Sequence, residues 1–206
     1  MDPSIWGSKL WGIIFDTCWL LEKSGHLLSQ KAIEATQIFF QSMRYLLPCK
    51  YCRDSYNIYL SQLNQCPPFG KGALKWGYDL KNLVNKKLDK KDIPKFECVQ
   101  KRMKTWSCAS SESDVWDILC MYATNYDCRK GAEKKYAFFE FLRTFPNLLW
   151  YLPGKRGLAR ILKTNSITEM DLKSRKNLLA YLCSCKKGST AQNIEKQYSN
   201  CKVKKS

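Results

Sequence analysis

The chain has 206 residues, 45% of them hydrophobic, and is therefore long enough to bury a core without relying on cross-links. Its formal net charge is +17, but the basic residues are scattered and no groove-reading motif accompanies them, so we do not expect a nucleic-acid partner. The apolar stretches are too short for a membrane span, and the first residues lack the pattern of a secretory signal, so we expect neither a span nor export.

Apolar residues recur at helical spacing almost throughout, and no alternating segment is long enough to predict a sheet. We therefore predict an all-α fold. Four helices with short links indicate a bundle, and a short fifth helix follows them. The predicted ranges are 5–23, 29–46, 49–63, 71–88 and 96–106.

A second helical unit is predicted to begin near residue 110. Residues 109–114 are typical of a linker that ends in a helix N-cap, and helices are expected at 115–127 and 132–142. The aromatic residues of this part are expected to pack in a core. The predicted organisation is a first domain at 1–109, an additional helical domain at 110–187 and a basic, mobile tail at 188–206.

A Cys-x-x-Cys pair lies at Cys49 and Cys52, directly after Pro48. Proline fits the first turn of a helix, so Cys49 is expected where a helix begins, with Cys52 one turn further on the same face. This spacing permits a disulfide, and the positive end of a helix dipole stabilises a thiolate. The pair is therefore a candidate for thiol–disulfide exchange.

Two other interpretations of the pair are weaker. A structural zinc site needs four ligands, and the chain has one histidine, His26, and no second Cys-x-x-Cys; Cys183-Ser-Cys185 has a less typical zinc spacing. A thioredoxin-like fold requires a strand before the pair, where residues 38–47 have a helical pattern. We predict a redox pair and no metal site.

Four motifs in this order strengthen the redox interpretation. They are Trp6-Gly-x-x-x-Trp11, Leu47-Pro-Cys-x-x-Cys-Arg-x-x-Tyr56, Trp76-x-x-x-x-Lys-Asn-x-Val-Asn-x-Lys-Leu88, and Phe96-x-Cys98 with Trp106 and Cys108. Over residues 5–108 the chain resembles the Erv/ALR family of FAD-linked sulfhydryl oxidases, among them those of large DNA viruses. The resemblance implies a helical bundle that holds FAD beside the Cys-x-x-Cys disulfide.

The resemblance also implies roles for individual residues. Cys52 would be the flavin-facing sulfur and Cys49 the sulfur that exchanges with the substrate, while Cys98 and Cys108 would form a structural disulfide. The residues implied in FAD binding are Trp6, Trp11, Phe15, Trp76, Lys81, Asn82, Val84, Asn85, Lys87, Leu88 and Trp106.

At two of these positions the chain departs from the family pattern. Phe15 and Lys81 each stand where the family motifs have histidine. Phe15 can stack on an aromatic ring, and Lys81 can approach a phosphate or the adenine. A member of the family without FAD is the alternative that these departures leave open.

Family members often carry a second, shuttle cysteine pair on a mobile segment. One known form of this pair is a Cys-x-Cys in the C-terminal tail, and Cys183-Ser-Cys185 matches that form. The alternatives are Cys120 with Cys128, or Cys201 with another cysteine of the tail. Cys18 and Cys66 are expected to be buried or unpaired.

The activity implied by the resemblance is oxidation of two substrate thiols to a disulfide, with electrons passing to FAD and then to dioxygen to give hydrogen peroxide. The expected partners are thiol-containing proteins, such as virion proteins or a thioredoxin-like carrier, and a second copy in a homodimer. A viral member would act in the host cytoplasm or the virion. The alternative function is a non-enzymatic, basic helical protein for binding or assembly, with structural or zinc-binding cysteines.

Overall fold

The structure is a computed structural model that describes residues 3–105, 109–126, 131–168, 171 and 173–185. All regular structure in these ranges is helical, so the all-α prediction is confirmed. The α-helices of the described ranges are α1 (Pro3–Ser24), α2 (Gln30–Leu46), α3 (Lys50–Gln62), α4 (Ala73–Lys87), α5 (Phe96–Thr105), α6 (Glu112–Thr124), α7 (Ala132–Leu149), α8 (Arg156–Thr164) and α9 (Arg175–Cys185). A 3-10 turn at Gly25–Leu27 joins α1 to α2.

The ends of α1 to α5 lie within two residues of the predicted ends. The predicted end of α7 at residue 142 is wrong: the helix continues through Pro146 because Phe145, Leu148 and Leu149 extend its buried stripe. Helices α8 and α9 were not predicted, since short segments give too few turns for a clear period. The tail at 188–206 lies outside the described residues.

Side chains cap several helix N-termini. Ser29 accepts a hydrogen bond from the Ala32 N–H at 3.4 Å. Ser111 forms a reciprocal capping box with Asp114, so α6 begins three residues before the predicted start at residue 115. The Glu22 carboxylate of α1 accepts from the N–H groups of Gly72 and Leu74 at the start of α4, at 2.9 and 3.1 Å. Satisfied N–H groups explain why these helices begin where they do.

An aromatic interface joins the first helices to the later ones. Phe39 of α2 stacks on Phe145 of α7 with ring centroids 5.6 Å apart, and Phe141 lies 4.6 Å from Phe145. All three rings are buried. Buried residues from α1 to α9 form one continuous core, in which α6 packs on α1 and α7 packs on α2. The division into domains at residue 110 stays a prediction.

A buried polar network fixes the connection between α5 and α6 against α1. The Asp16 carboxylate accepts hydrogen bonds from the backbone N–H groups of Ala109 and Ser110, at 2.5 and 2.9 Å, and from the Ser110 hydroxyl at 2.6 Å. The Lys155 ammonium donates to the Ser110 and Pro153 carbonyls and lies 4.0 Å from Asp16 Oδ2. Both charged side chains are almost fully buried, so α1, the connection and the start of α8 form one unit.

Length and apolar character decide whether a helix can cross a membrane. Across the ranges that the structure describes, no helix combines the length and the apolar character that crossing a membrane requires.

Candidate functional site

The Cys-x-x-Cys pair lies where α3 begins, as predicted. Cys49 is the N-cap residue, with extended backbone, and Cys52 lies in the first turn. Both side chains are half-buried thiols within hydrogen-bonding reach of each other. Burial and the neighbouring Cys49 thiol raise the pKa of Cys52 to about 12, so the Cys52 sulfur of the reduced pair stays protonated at neutral pH.

The chain is folded tightly around this pair. The Arg53 guanidinium donates to the Leu47 carbonyl, so the residue after the pair reaches back to the segment before it. The Arg53 N–H also donates to the Cys49 carbonyl at 3.1 Å, which is the first backbone bond of α3. Two bonds that span the pair hold both sulfurs on one short, ordered segment.

A lysine of α4 lies beside the pair. The Lys87 ammonium donates to the Ser55 hydroxyl and lies 3.5 Å from the Tyr51 carbonyl, so the end of α4 contacts the first turns of α3. Its positive charge partly opposes the rise in the pKa of Cys52. The roles of Ser55 and Tyr51 in positioning Lys87 were missed, because nothing in their sequence spacing indicates a contact with α4.

Three of the predicted cofactor residues lie together where α1 packs against α4. The Lys81 ammonium lies 4.1 Å from the centre of the Trp11 ring, and Trp11 and Phe15 have ring centroids 6.2 Å apart. All three side chains are half-buried. Burial, and secondarily the charge of Lys90, lower the pKa of Lys81 to about 8. We name this set of Trp11, Phe15 and Lys81 the α1–α4 cluster.

A close contact between the helices lies next to this cluster. A methyl group at Gly77 of α4 would lie 2.8 Å from Cys18 Sγ and 3.9 Å from the Phe15 ring. Only glycine therefore permits this spacing of α1 and α4. Cys18 is fully buried, and its burial raises the pKa of its thiol. Its expected place as a buried cysteine is confirmed.

The other predicted cofactor residues differ in exposure. Trp76 is buried, packs edge-on against Phe40 at 5.0 Å and donates its indole N–H to the Asn64 carbonyl at 2.9 Å, so its described contacts are those of a core residue. Trp6 is also buried, and its indole N–H has no hydrogen-bond partner among the described residues. Asn85 is buried, Asn82 and Val84 are half-buried and Leu88 is exposed. Their contacts with a cofactor stay predictions.

Of the two cysteines in the predicted structural disulfide, one lies among the described residues. Cys98 is exposed in the first turn of α5, while Trp106 and Cys108 lie outside the described residues. The Cys98–Cys108 pairing stays a prediction. The Asp16 network holds Ala109, the residue that follows Cys108.

The proposed shuttle cysteines lie in the last turn of α9. Cys185 is buried and interacts with Tyr181 and Ser184, and Cys183 is half-buried. Residues two apart on a helix point in different directions, so a bond between these sulfurs requires α9 to unwind at its end. Of the alternatives, Cys120 is buried in α6, and Cys128 and Cys201 lie outside the described residues. Cys66 is half-buried.

Within the described ranges, no group of three or more His, Cys, Asp or Glu side chains lies close enough together to hold a metal ion. Comparisons of the chain with models of protein families, with curated proteins and with solved structures gave no match.

The residue types of the α1–α4 cluster suit parts of a flavin dinucleotide. Half-buried faces of Trp11 and Phe15 offer aromatic surface to planar rings, and the Lys81 ammonium offers charge to a phosphate.

Proposed function

We propose that the protein is an FAD-dependent thiol oxidase that introduces disulfides into substrate proteins, and that it acts as a homodimer. The observation that carries the proposal is the position of the Cys49–Cys52 pair: it lies at the start of α3, beside Lys87 of α4. The same helix carries Lys81, which lies on Trp11 in the α1–α4 cluster. Helix α4 thus contacts both the segment of the thiol pair and residue types suited to a flavin.

The chain's own part in the reaction is thiol–disulfide exchange. A substrate thiolate would attack Cys49 of the oxidised pair and form a mixed disulfide, releasing Cys52 as the leaving sulfur. A second substrate thiol would then attack the substrate sulfur of the mixed disulfide and release Cys49. Two substrate thiols lose two electrons and two protons, and the pair gains them. The high pKa of the Cys52 thiol favours proton uptake by this sulfur.

Bound FAD would accept these electrons from the pair and pass them to dioxygen, giving hydrogen peroxide. The residues of the α1–α4 cluster and Lys87 would bind and orient in this scheme: Trp11 and Phe15 would offer faces to planar rings, and Lys81 with Lys87 would neutralise phosphate charge. The shuttle role of Cys183 and Cys185, and action in the host cytoplasm or virion, remain parts of the proposal that only the sequence supports.

The direct test is the colour and oxygen consumption of the purified full chain. We expect a yellow protein that releases flavin on denaturation and consumes oxygen when dithiothreitol is added. A colourless protein with stoichiometric zinc and no reaction with dithiothreitol would instead support the binding or assembly function. Metal analysis of the same sample distinguishes these two results.

The pH dependence of FAD binding tests the role of Lys81. With a pKa of about 8, Lys81 is mostly charged at pH 7 and mostly neutral at pH 9, and its protonated fraction falls about tenfold between them. If the charge contacts the diphosphate, the FAD affinity of the apoprotein should fall by up to about tenfold over this interval. Titration of the apoprotein with FAD at both pH values measures this.

The matched variant is Lys81→Arg, which keeps its charge throughout this interval. We expect its FAD affinity to be nearly the same at both pH values. An equal loss of affinity in the wild type and in Lys81→Arg would assign the pH dependence to another group.

A further inference from the structure

Three connections between helices meet at one end of the molecule. They are residues 25–29 between α1 and α2, residues 63–72 between α3 and α4, and residues 150–155 between α7 and α8. A methyl group at Gly25 would lie 2.8 Å from the Phe69 carbonyl carbon, and the Ser29 N–H donates to the Tyr151 hydroxyl at 3.4 Å. The first connection therefore touches both of the others. We call the outer face of these connections the three-loop surface.

A small apolar cluster fixes the three connections to one another. Leu28 and Ala73 are buried in it, and Phe69 and Tyr151 pack against it. Each of the three connections thus contributes a side chain to one common base. The side chains that point outward from this base are held at fixed positions relative to each other.

Two large apolar side chains are exposed on the three-loop surface. Leu27 is 67% exposed in the turn before Ser29, and Trp150 is 38% exposed directly before Tyr151. A single exposed apolar residue is ordinary in a folded protein. Here, however, the two lie on connections that are in contact and that carry positive charge around them.

The three-loop surface is basic. None of its three connections contains Asp or Glu, and Lys71 is exposed in the second of them. Two exposed cations of α8, Arg156 and Lys163, lie 5.7 and 5.9 Å from the centre of the Trp150 ring. Glu22, the acidic residue closest in sequence to the first connection, already accepts two backbone hydrogen bonds at the start of α4. The surface is therefore complementary to an anionic partner.

We propose that the three-loop surface binds the face of a membrane that contains anionic lipids. Leu27 and Trp150 enter the boundary between headgroups and acyl chains, which is where tryptophan is enriched in membrane proteins. The cations of Lys71, Arg156 and Lys163 lie at the level of the lipid phosphates. Exposed apolar tips ringed by basic side chains are the combination that such a surface attracts.

Single-stranded nucleic acid is the other polyanion to consider. Its binding sites combine a basic groove with aromatic faces on which bases stack. On the three-loop surface, Arg156 and Lys163 already lie over the Trp150 ring, and the most exposed apolar side chain is the aliphatic Leu27, which offers no stacking face. These contacts favour lipid over nucleic acid.

The redox pair lies at the other end of the helices. Helix α2 begins at the three-loop surface and ends just before Cys49, and its 17 residues span about 25 Å. Contact with a membrane through the three-loop surface therefore leaves Cys49 and Cys52 on the side that faces away from the lipid. The proposal does not depend on the oxidase activity, and binding can be measured without it.

The test is co-sedimentation of the full chain with lipid vesicles. One set contains equal amounts of phosphatidylserine and phosphatidylcholine, and the other contains phosphatidylcholine alone. We expect binding to the first set only, and weaker binding as salt is raised. Lys71→Gln combined with Lys163→Gln should lower the affinity about 25-fold, which is about fivefold for each charge. Leu27→Gln should lower it about tenfold, because the apolar group that enters the lipid is removed.

Each variant has a matched control at a distant position. Lys86→Gln with Lys91→Gln makes the same change in net charge at and just beyond the other end of α4. Ile5→Gln replaces an apolar residue that is 40% exposed near the start of α1, whereas the three-loop surface lies after its end. Both controls should bind vesicles as the wild type does.

Several results would overturn the proposal. Equal losses in the two double lysine variants would show that net charge alone drives binding, without a specific surface. Wild-type affinity in Leu27→Gln, or equal binding to both sets of vesicles, would also contradict it. Tighter binding to a single-stranded oligonucleotide than to anionic vesicles, with no effect of Leu27→Gln, would assign the surface to nucleic acid instead.

Discussion

Replacing Cys52 by serine is expected to reduce thiol-dependent oxygen consumption to the rate of a blank without protein, while FAD stays bound. Serine cannot form the disulfide that accepts the substrate's electrons. Its hydroxyl is close in size to the thiol, and Cys52 is only half-buried, so the fold should tolerate the change. Oxygen consumption with dithiothreitol and the visible flavin spectrum, measured on one sample, check both parts of the expectation.

The control for this variant is Cys66→Ser. Cys66 is also a half-buried thiol whose pKa is raised by burial, but it lies outside the Cys-x-x-Cys segment. We expect Cys66→Ser to keep most of the wild-type turnover. Normal turnover in Cys52→Ser, or loss of turnover in both variants, would reject Cys49–Cys52 as the specific electron acceptor.

The largest effect on stability is expected for Asp16→Ala. The change leaves the N–H groups of the half-buried Ala109 and the buried Ser110 without their carboxylate acceptor and removes the negative charge 4.0 Å from the buried Lys155 ammonium. Breaking one side of a buried pair of this kind costs about 3–5 kcal/mol. The free energy of unfolding in urea, followed by far-UV circular dichroism, measures the loss.

Two further variants show whether the loss arises from the buried charge. In the double variant Asp16→Ala with Lys155→Met, no unpaired ammonium remains, so we expect part of the lost stability to return. Asp79→Ala removes the carboxylate of an exposed ion pair with Lys75 on α4 and should change stability by less than about 1 kcal/mol. A loss in Asp16→Ala no larger than that in Asp79→Ala would contradict the buried network as a major source of stability.

The first five helices could be predicted from the sequence because each is long or clearly bounded. Pro48 marks the start of α3, and the loop at residues 66–70 separates α3 from α4. The position of Cys49 at a helix start followed from that same proline. The residues at each helix boundary were therefore sufficient to predict these helices and the position of Cys49.

Features that join distant parts of the chain could not be predicted in this way. The Asp16 carboxylate and the Ser110 N–H are 94 residues apart, and Asp16 in the sequence is one more polar residue in an apolar helix. The cavity lined by Leu47, Arg53 and Tyr122 likewise depends on α6 packing near the end of α2 and the start of α3. The residues of the α1–α4 cluster were predicted only through the family motifs, and the contact of Lys81 with Trp11 depends on how closely Gly77 lets the helices approach.

The aromatic interface between α2 and α7 has a consequence for the order of events during synthesis. Phe39 leaves the ribosome about a hundred residues before Phe141 and Phe145, its partners in the core. Until then, α2 exposes an apolar face and Asp16 lacks Lys155. A nascent chain that already contains Cys49 and Cys52 is therefore an incomplete bundle, open to aggregation or to binding by chaperones. The Cys49–Cys52 segment is made early, but the core around it is completed only when the last third of the chain has emerged.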